Sequence, residues 1–149
     1  MNREILFRGK LIDGGRWVYG SLLVFPDGEC YVAYEGGLED GLGRAALKKD
    51  PVVRESVGQL TGLKGKDGKD IYEGDIIKIT ESYDGEASNS EVRFFKGVFG
   101  VDNWTKGTKN ECLTTLNHFM PTKGLYDDEQ EYIVEVIGNI HDNPSLLKE

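Results

Sequence analysis

The chain has 149 residues, of which 38% are hydrophobic and 10% aromatic, with 20 Gly, only 4 Pro and a formal net charge of −8. This size suits one domain or two small ones sharing a core, and the composition excludes a disordered chain. No run approaches the roughly 18 apolar residues of a membrane span, residues 1–8 lack the apolar stretch of a secretory leader, and the acid excess disfavours a general phosphate-tracking surface.

In chain order, Ile5 and Phe7 alternate with Glu4 and Arg8, the period-2 pattern of a half-buried strand. Asp13-Gly14-Gly15 turns the chain into a second strand, Trp17–Phe25, so uniformly apolar that it reads as buried on both faces over part of its length. Pro26-Asp27-Gly28 is a hairpin signal, because Pro presets φ at the first corner and Gly accepts a positive φ. Cys30–Tyr34 returns as a third strand. Residues 35–43 read as a mobile, acidic, Gly-rich loop. A subdomain boundary is placed at residue 60, giving an N-terminal β-meander over 1–60 and a second β subdomain over 61–149.

Leu60–Ile79 is the stretch around which the chain is organised. Glycines at 62, 65, 68 and 74 punctuate it, and Asp67-Gly68 and Glu73-Gly74-Asp75 are turn signals. Ile76, Ile77 and Ile79 then begin a buried strand, read as 75–80, and 82–90 reads as a polar loop. Glu91–Phe95 and Gly97–Trp104 read as paired strands with bends or bulges at Gly97 and Gly100. Leu113, Leu116 and Phe119 suggest one short helix or 3-10 segment. Tyr132–Ile140 is the closing strand, followed by a short helix with Asn143 as N-cap and Pro144 at its first position.

Chemical motifs are weighed against this framework. Gly68-Lys69 is followed by Asp70 and preceded at the required position by Leu63, so it fails as a phosphate loop. The segment also leads into a strand rather than a helix N-terminus. Acids at 67, 70, 73 and 75 do not alternate as calcium ligands do, since Lys69 and Ile71 intervene. Cys30, Cys112, His118 and His141 show no zinc-like spacing, and a Gly-x-Ser-x-Gly elbow is missing. No catalytic, cofactor-binding or metal residues are therefore assigned. The rings Trp17, Tyr19, Phe25, Tyr31 and Tyr34, with Phe94, Phe95, Phe99 and Trp104, read first as core or subunit interface. The alternative is a base-stacking platform with Arg8, Arg16 and Arg93. Charge is uneven: residues 1–60 carry 8 Lys/Arg against 9 Asp/Glu, and residues 61–149 carry 10 against 17. The acidic part reads as a solvated face, or as a dock for a basic protein partner.

Taken together, the chain resembles the YopX family, small proteins found largely in bacteriophages and prophages. The resemblance rests on Arg3–Lys10, on Trp17–Leu22, and on Val57–Lys64 followed by Asp67–Ile77. It rests also on Glu135–Ile140 followed by Asn143-Pro144. The residues matching the family hallmark are Thr61, Gly62, Leu63, Tyr72, Glu73, Gly74, Asp75, Gly138 and Asn139; Gly65 and His141-Asp142 depart mildly from it. The resemblance implies a predominantly β protein of phage or prophage origin and implies no catalytic residues. A turn, an Ile strand and a hairpin in the second half are similar to small SH3-like barrels. The expected fold is therefore mainly β, a meander plus a small SH3-like barrel with one or two short helices. The expected function is a non-catalytic binding or regulatory accessory protein of the bacterial cytoplasm. It is expected to need no cofactor, to self-associate and to stay off membranes, with nucleic acid disfavoured. The alternative reading is a nucleic-acid-associated protein of phage replication or recombination.

Overall fold

A computed structural model describes residues 1–38, 45–102, 113–121 and 131–148. The chain is mainly β, with antiparallel strands and short 3-10 turns. Among the described residues no helix is long and apolar enough to cross a membrane. Two compact units are present, Met1–Leu60 and Thr61–Glu149.

The first unit contains β1 (Phe7–Lys10), β2 (Trp17–Val24), β3 (Cys30–Leu38) and β4 (Ala45–Val52), each hydrogen-bonded to the next in chain order. The first residues of β5 (Gly58–Lys64) lie on the other side of β1, with Phe7 opposite Gln59 and Arg8 opposite Gly58. The meander also curls until its ends meet. Leu11 bridges Val52, the Val53 N–H donates to the Lys10 carbonyl (2.8 Å), and the Ile12 N–H donates to that of Pro51 (3.2 Å). Gly9 makes the curl possible, since a Cβ there would stand 2.9 Å from the Val52 side chain. Inside lie Val18, Cys30, Val32 and Val52, with Leu11, Leu22, Tyr34 and Val57 packed against them. Ser56 seals one end: its hydroxyl donates to the Val53 carbonyl (2.6 Å) and accepts from the Lys10 N–H (2.8 Å).

Two expectations are corrected here. The strand at Trp17 is not buried on both faces: Val18 and Gly20 point inward while Tyr19, Ser21 and Leu23 are exposed. Its continuous apolar character serves an inner core and an outer surface. The Gly-rich loop expected over 35–43 is shorter, because β3 runs on to Leu38; residues 39–44 lie outside the described set.

The second unit holds the end of β5, a 3-10 turn at Lys66–Gly68 and β6 (Asp70–Tyr72), which form a hairpin. It also holds β7 (Asp75–Glu81), β8 (Ala87–Phe95), β9 (Val98–Asp102), β10 (Leu113–Thr115) and β11 (Tyr132–Asn139), in the sheet order β10-β9-β8-β7-β11. The order is consistent with the expected small barrel, although no strand pair among the described residues joins β10 to β11. Ile71, Ile77, Ile79, Val92, Val101, Leu116, Phe119 and Val134 form its core. The loop expected over 82–90 is partly strand, since Ala87–Ser90 pair with Ile77–Thr80. Polar side chains there hid a ladder made by the backbone. Gly97 forms the two-residue hairpin turn with Lys96, both at positive φ, whereas Gly100 sits in regular register opposite Arg93. The segment expected after Leu113 is a 3-10 turn over Leu116–Phe119. The last turn, Pro144–Leu147, is also 3-10, and Asn143 provides no side-chain cap for it. Trp104 and Cys112 lie outside the described residues.

Candidate functional site

The hallmark residues are gathered in the second unit, and their polar groups hydrogen-bond within its turns and strand pairs. Thr61 Oγ1 donates to the Ile71 carbonyl (2.8 Å) and accepts from the Leu63 N–H (3.1 Å), tying β5 to β6. Gly62 sits at φ 81 with open space around it, and Leu63 packs against the core. The chain then turns at Tyr72–Asp75. Asp75 is only 2% exposed, and its Oδ2 accepts the Tyr72 N–H at 2.8 Å. Gly74 has φ 85, the left-handed conformation that a turn into β7 requires there. Its N–H donates to the Val92 carbonyl (2.8 Å) and its carbonyl accepts the Ile140 N–H (3.0 Å). Glu73 is half-buried.

The C-terminal part of the hallmark meets the central part. Asn139 stands opposite Asp75 and Gly138 opposite Ile76, just past a bulge after Val136. Asn139 Oδ1 accepts the N–H groups of His141 and Asp142, both at 2.9 Å, and its Nδ2 donates to Asp142 Oδ2 at 3.0 Å. A Cβ on Gly138 would stand 2.6 Å from Asn143 Oδ1 and 2.9 Å from Leu146 Cδ1, so the bare backbone is what admits the final turn. Asn89 Nδ2 holds that turn by donating to the Leu146 carbonyl (2.8 Å). Such a network shapes a chain reversal. The Asp75 carboxylate and the Asn139 amide oxygen accept backbone N–H groups, and the Asn139 amide nitrogen reaches the Asp142 carboxylate.

The neighbouring acids are dispersed. Asp67 is at the exposed hairpin tip, Asp70 pairs with Lys64 at 2.5 Å, and Asp75 is buried in the turn. Among the described residues no three His, Cys, Asp or Glu side chains cluster as metal ligands do. Cys30 is buried, with its thiol donating to the Gly28 carbonyl (3.7 Å). The exposed His118 ring leans on Phe119 and Tyr132, with centroids at 5.1 and 5.6 Å. One groove, about 400 Å³, lies between Gly65 and Lys66 of the hairpin tip and Phe119, Met120, Ile133 and Val134.

The other candidate is the outer face of the first unit. Strand register puts Arg8, itself only 6% exposed, and Lys10 of β1 on one face with Trp17, Tyr19, Ser21 and Leu23 of β2. It adds Tyr31, Ala33 and Glu35 of β3, then Leu47, Lys49 and Pro51 of β4. Tyr19 is 47% exposed and Leu47 81%. Cations sit on the rings. The Arg8 guanidinium carbon is 4.7 Å from the Trp17 ring centre and Lys10 Nζ is 5.8 Å from it. Lys49 Nζ stands 5.4 Å from the Tyr31 ring and 5.7 Å from Phe25, which itself meets Tyr31 edge-on at 5.3 Å. The Tyr31 hydroxyl donates to Glu29 Oε2 (3.0 Å), and that bond and charge hold its pKa above the ordinary value.

The ring set read from sequence is thus divided. Trp17, Tyr19, Phe25 and Tyr31 share this surface. Tyr34 lies on the opposite, inner face, where its hydroxyl donates to Asp50; that bond raises its pKa, and the Arg16 charge partly offsets the rise. Phe94, Phe95 and Phe99 belong to the β8–β9 hairpin of the second unit, where Arg93 pairs with Asp102. Lys10 and Lys49 were missed as ring partners. Lys49 was concealed with β4 itself, which has no assignment from sequence; its Lys48-Lys49-Asp50-Pro51 run suits an edge strand.

The comparisons with known proteins agree with this architecture. The family model described as YopX protein matches residues 6–148. The crystal structure of protein yopX from Bacillus subtilis is similar at 25% identity and a TM-score of 0.54, covering 96% of this chain and 98% of that one. Protein EF1440 from Enterococcus faecalis is similar in fold at 23% identity and a TM-score of 0.57, covering 99% and 100%. No curated protein sequence matches this chain significantly.

Proposed function

The chain belongs to the YopX family, and on that premise we propose that it is a non-catalytic binding or regulatory accessory protein of a phage or prophage, working in the bacterial cytoplasm. The observation that carries this reading is the outer face of the first unit. Rings and cations are held there on sheet strands, outside the core, with Tyr19 and Lys49 open to solvent. Surface aromatics with cations on them are what contact surfaces are enriched in. The polar hallmark residues support the non-catalytic part, because the Asp75 carboxylate and the Asn139 amide oxygen accept backbone N–H groups of their own turns. The test is a capture experiment with the whole chain against the double variant Tyr19→Ala/Lys49→Glu. A binding protein of this kind loses its captured partners in the variant while its melting temperature stays put. Equal capture by both proteins would refute the surface.

Self-association is part of the same proposal. Phe94, 52% exposed, stands with exposed Phe95 and Val98 at the β8–β9 hairpin tip, apolar area that a second copy would cover. Light scattering over a concentration series should show a mass above the monomer, and Phe94→Ser/Phe95→Ser should return it to the monomer. A monomer mass throughout would remove this claim. The acidic residues of the second unit remain the proposed docking point for a basic protein partner.

A further inference from the structure

We infer that the apolar tip of the β8–β9 hairpin fills the groove beside β11 in a second copy of the chain, and that two such contacts close a symmetric dimer. The inference rests on the self-association proposed above and names the surface that the tip meets. Three observations choose this occupant.

The first is the character of the groove. Phe119, Met120, Ile133 and Val134 give it an apolar floor, and Ile133 is 40% exposed there. Of the ions in its lining, Lys64 is paired with Asp70, and Lys66 is followed in the chain by Asp67 with the opposite charge. A groove so nearly neutral suits an apolar side chain better than an ion. A cavity of about 150 Å³ holds a benzene ring, so a groove of about 400 Å³ has room for one phenyl side chain and more. The second is the character of the tip. Phe94, Phe95 and Val98 are 52%, 44% and 40% exposed around the turn Lys96-Gly97. Phe94 is braced by Phe99, with ring centres 5.0 Å apart, so it is presented as a fixed anchor. Lys96 is the ion of the tip, and its Nζ stands 5.4 Å from the Phe95 ring centre. Phe94 is therefore the ring that enters, with Phe95 and Val98 against the rim. The third is position. β8 runs opposite β7 from Ala87, which faces Thr80, to Glu91, which faces Ile76, and reaches Phe94 and Phe95 beyond that point. Ile133 also faces Thr80. Tip and groove thus lie at opposite ends of the sheet, roughly 25 Å apart along the strands, and a chain cannot fill its own groove. A second copy turned end for end sets each tip beside the other's groove. Area asks for both contacts. One buries on the order of 500 Å² counting both copies, and two reach the roughly 1,000 Å² that a specific interface needs.

Light scattering on the full chain over a concentration series is expected to show twice the monomer mass. Phe94→Ser and Ile133→Glu should each return it to the monomer, while Leu47→Ser, at an exposed position of the first unit, should leave the dimer intact. Disulfide trapping reads the same contact without depending on how a variant changes stability. Chains with Val98→Cys are mixed with chains with Ile133→Cys, and oxidised glutathione serves as the oxidant. The mixture should give several times more covalent dimer than either variant alone. A dimer that survives Ile133→Glu, or a mixture that cross-links no more than its separate components, overturns the groove as the site. If Phe94→Ser still gives the monomer in that case, self-association through the tip stands without the groove. A mass that keeps growing with concentration means open head-to-tail chains and overturns the closed pair. A monomer mass throughout removes both the inference and the self-association on which it rests.

Discussion

The two units use one vocabulary of antiparallel strands for opposite ends. In the second, the polar hallmark residues Asp75 and Asn139 hydrogen-bond to residues of their own turns, beside a core rich in β-branched side chains. In the first, the core is centred on four small buried residues, and of the large rings Tyr34 packs against it while Tyr19 and Phe25 stay outside. The difference teaches that polar motif residues here mark a structural joint, while an ordinary-looking aromatic strand carries the surface. Predicted variants separate along that line.

The largest effect is expected at Asp75. Asp75→Ala leaves the Tyr72 N–H without its acceptor in a buried turn and should cost about 2–3 kcal/mol. Denaturant unfolding measures it, and an unchanged midpoint would mean the joint does not hold the second unit. Gly74→Val comes next, at about 1–3 kcal/mol, because φ 85 suits no β-branched residue. A thermal melt reads the loss.

Glu91 gives a smaller effect with a defined pH signature. Burial on β8 raises its pKa above the ordinary 4.5, with Asp102 and Glu73 adding to the rise and Arg93 opposing it. The folded protein therefore holds this proton more tightly than the unfolded chain does. Stability falls as pH climbs from 4.5 through the raised value, and above that the loss is complete. Glu91→Gln should melt slightly above the wild type at neutral pH and equal it below pH 4.5. A gain at both pH values would assign the effect to something other than titration. The smallest effect is Tyr19→Ala, within about 0.5 kcal/mol, as for surface substitutions generally. A large loss would place that ring in the core economy of the first unit and erase the contrast.

How much of this was legible depends on the kind of signal. Period-2 alternation and β-branched runs marked β1, β7 and β11, because burying one or both faces leaves that imprint. Edge strands leave another: β4 ends in charges and Pro51, and β8 begins in Ala-Ser-Asn-Ser, so backbone pairing went unseen where side chains did not need burial. The turn at Gly74 could be read locally. Its pairing with Asn139 could not, since nothing in either segment names the other. For the outer face, the rings were visible singly. Which of them shared a side depended on the register of β2 against β3 and on finding β4; Tyr34, read first as core or interface with the rest, packs against the core.

The meeting of Gly74 with Ile140 has a consequence for how the protein is made. A ribosome delivers residues 1–60 first, and everything the first curl needs is then present. β7 follows, pairs with β8, and still has an open side with Ile76, Ile77 and Ile79 along it. Its second partner, β11, is translated only after β8, β9 and β10. Until β11 emerges the nascent chain thus carries one finished half and one half with a bare, sticky strand edge, the species on which chaperones and aggregation compete.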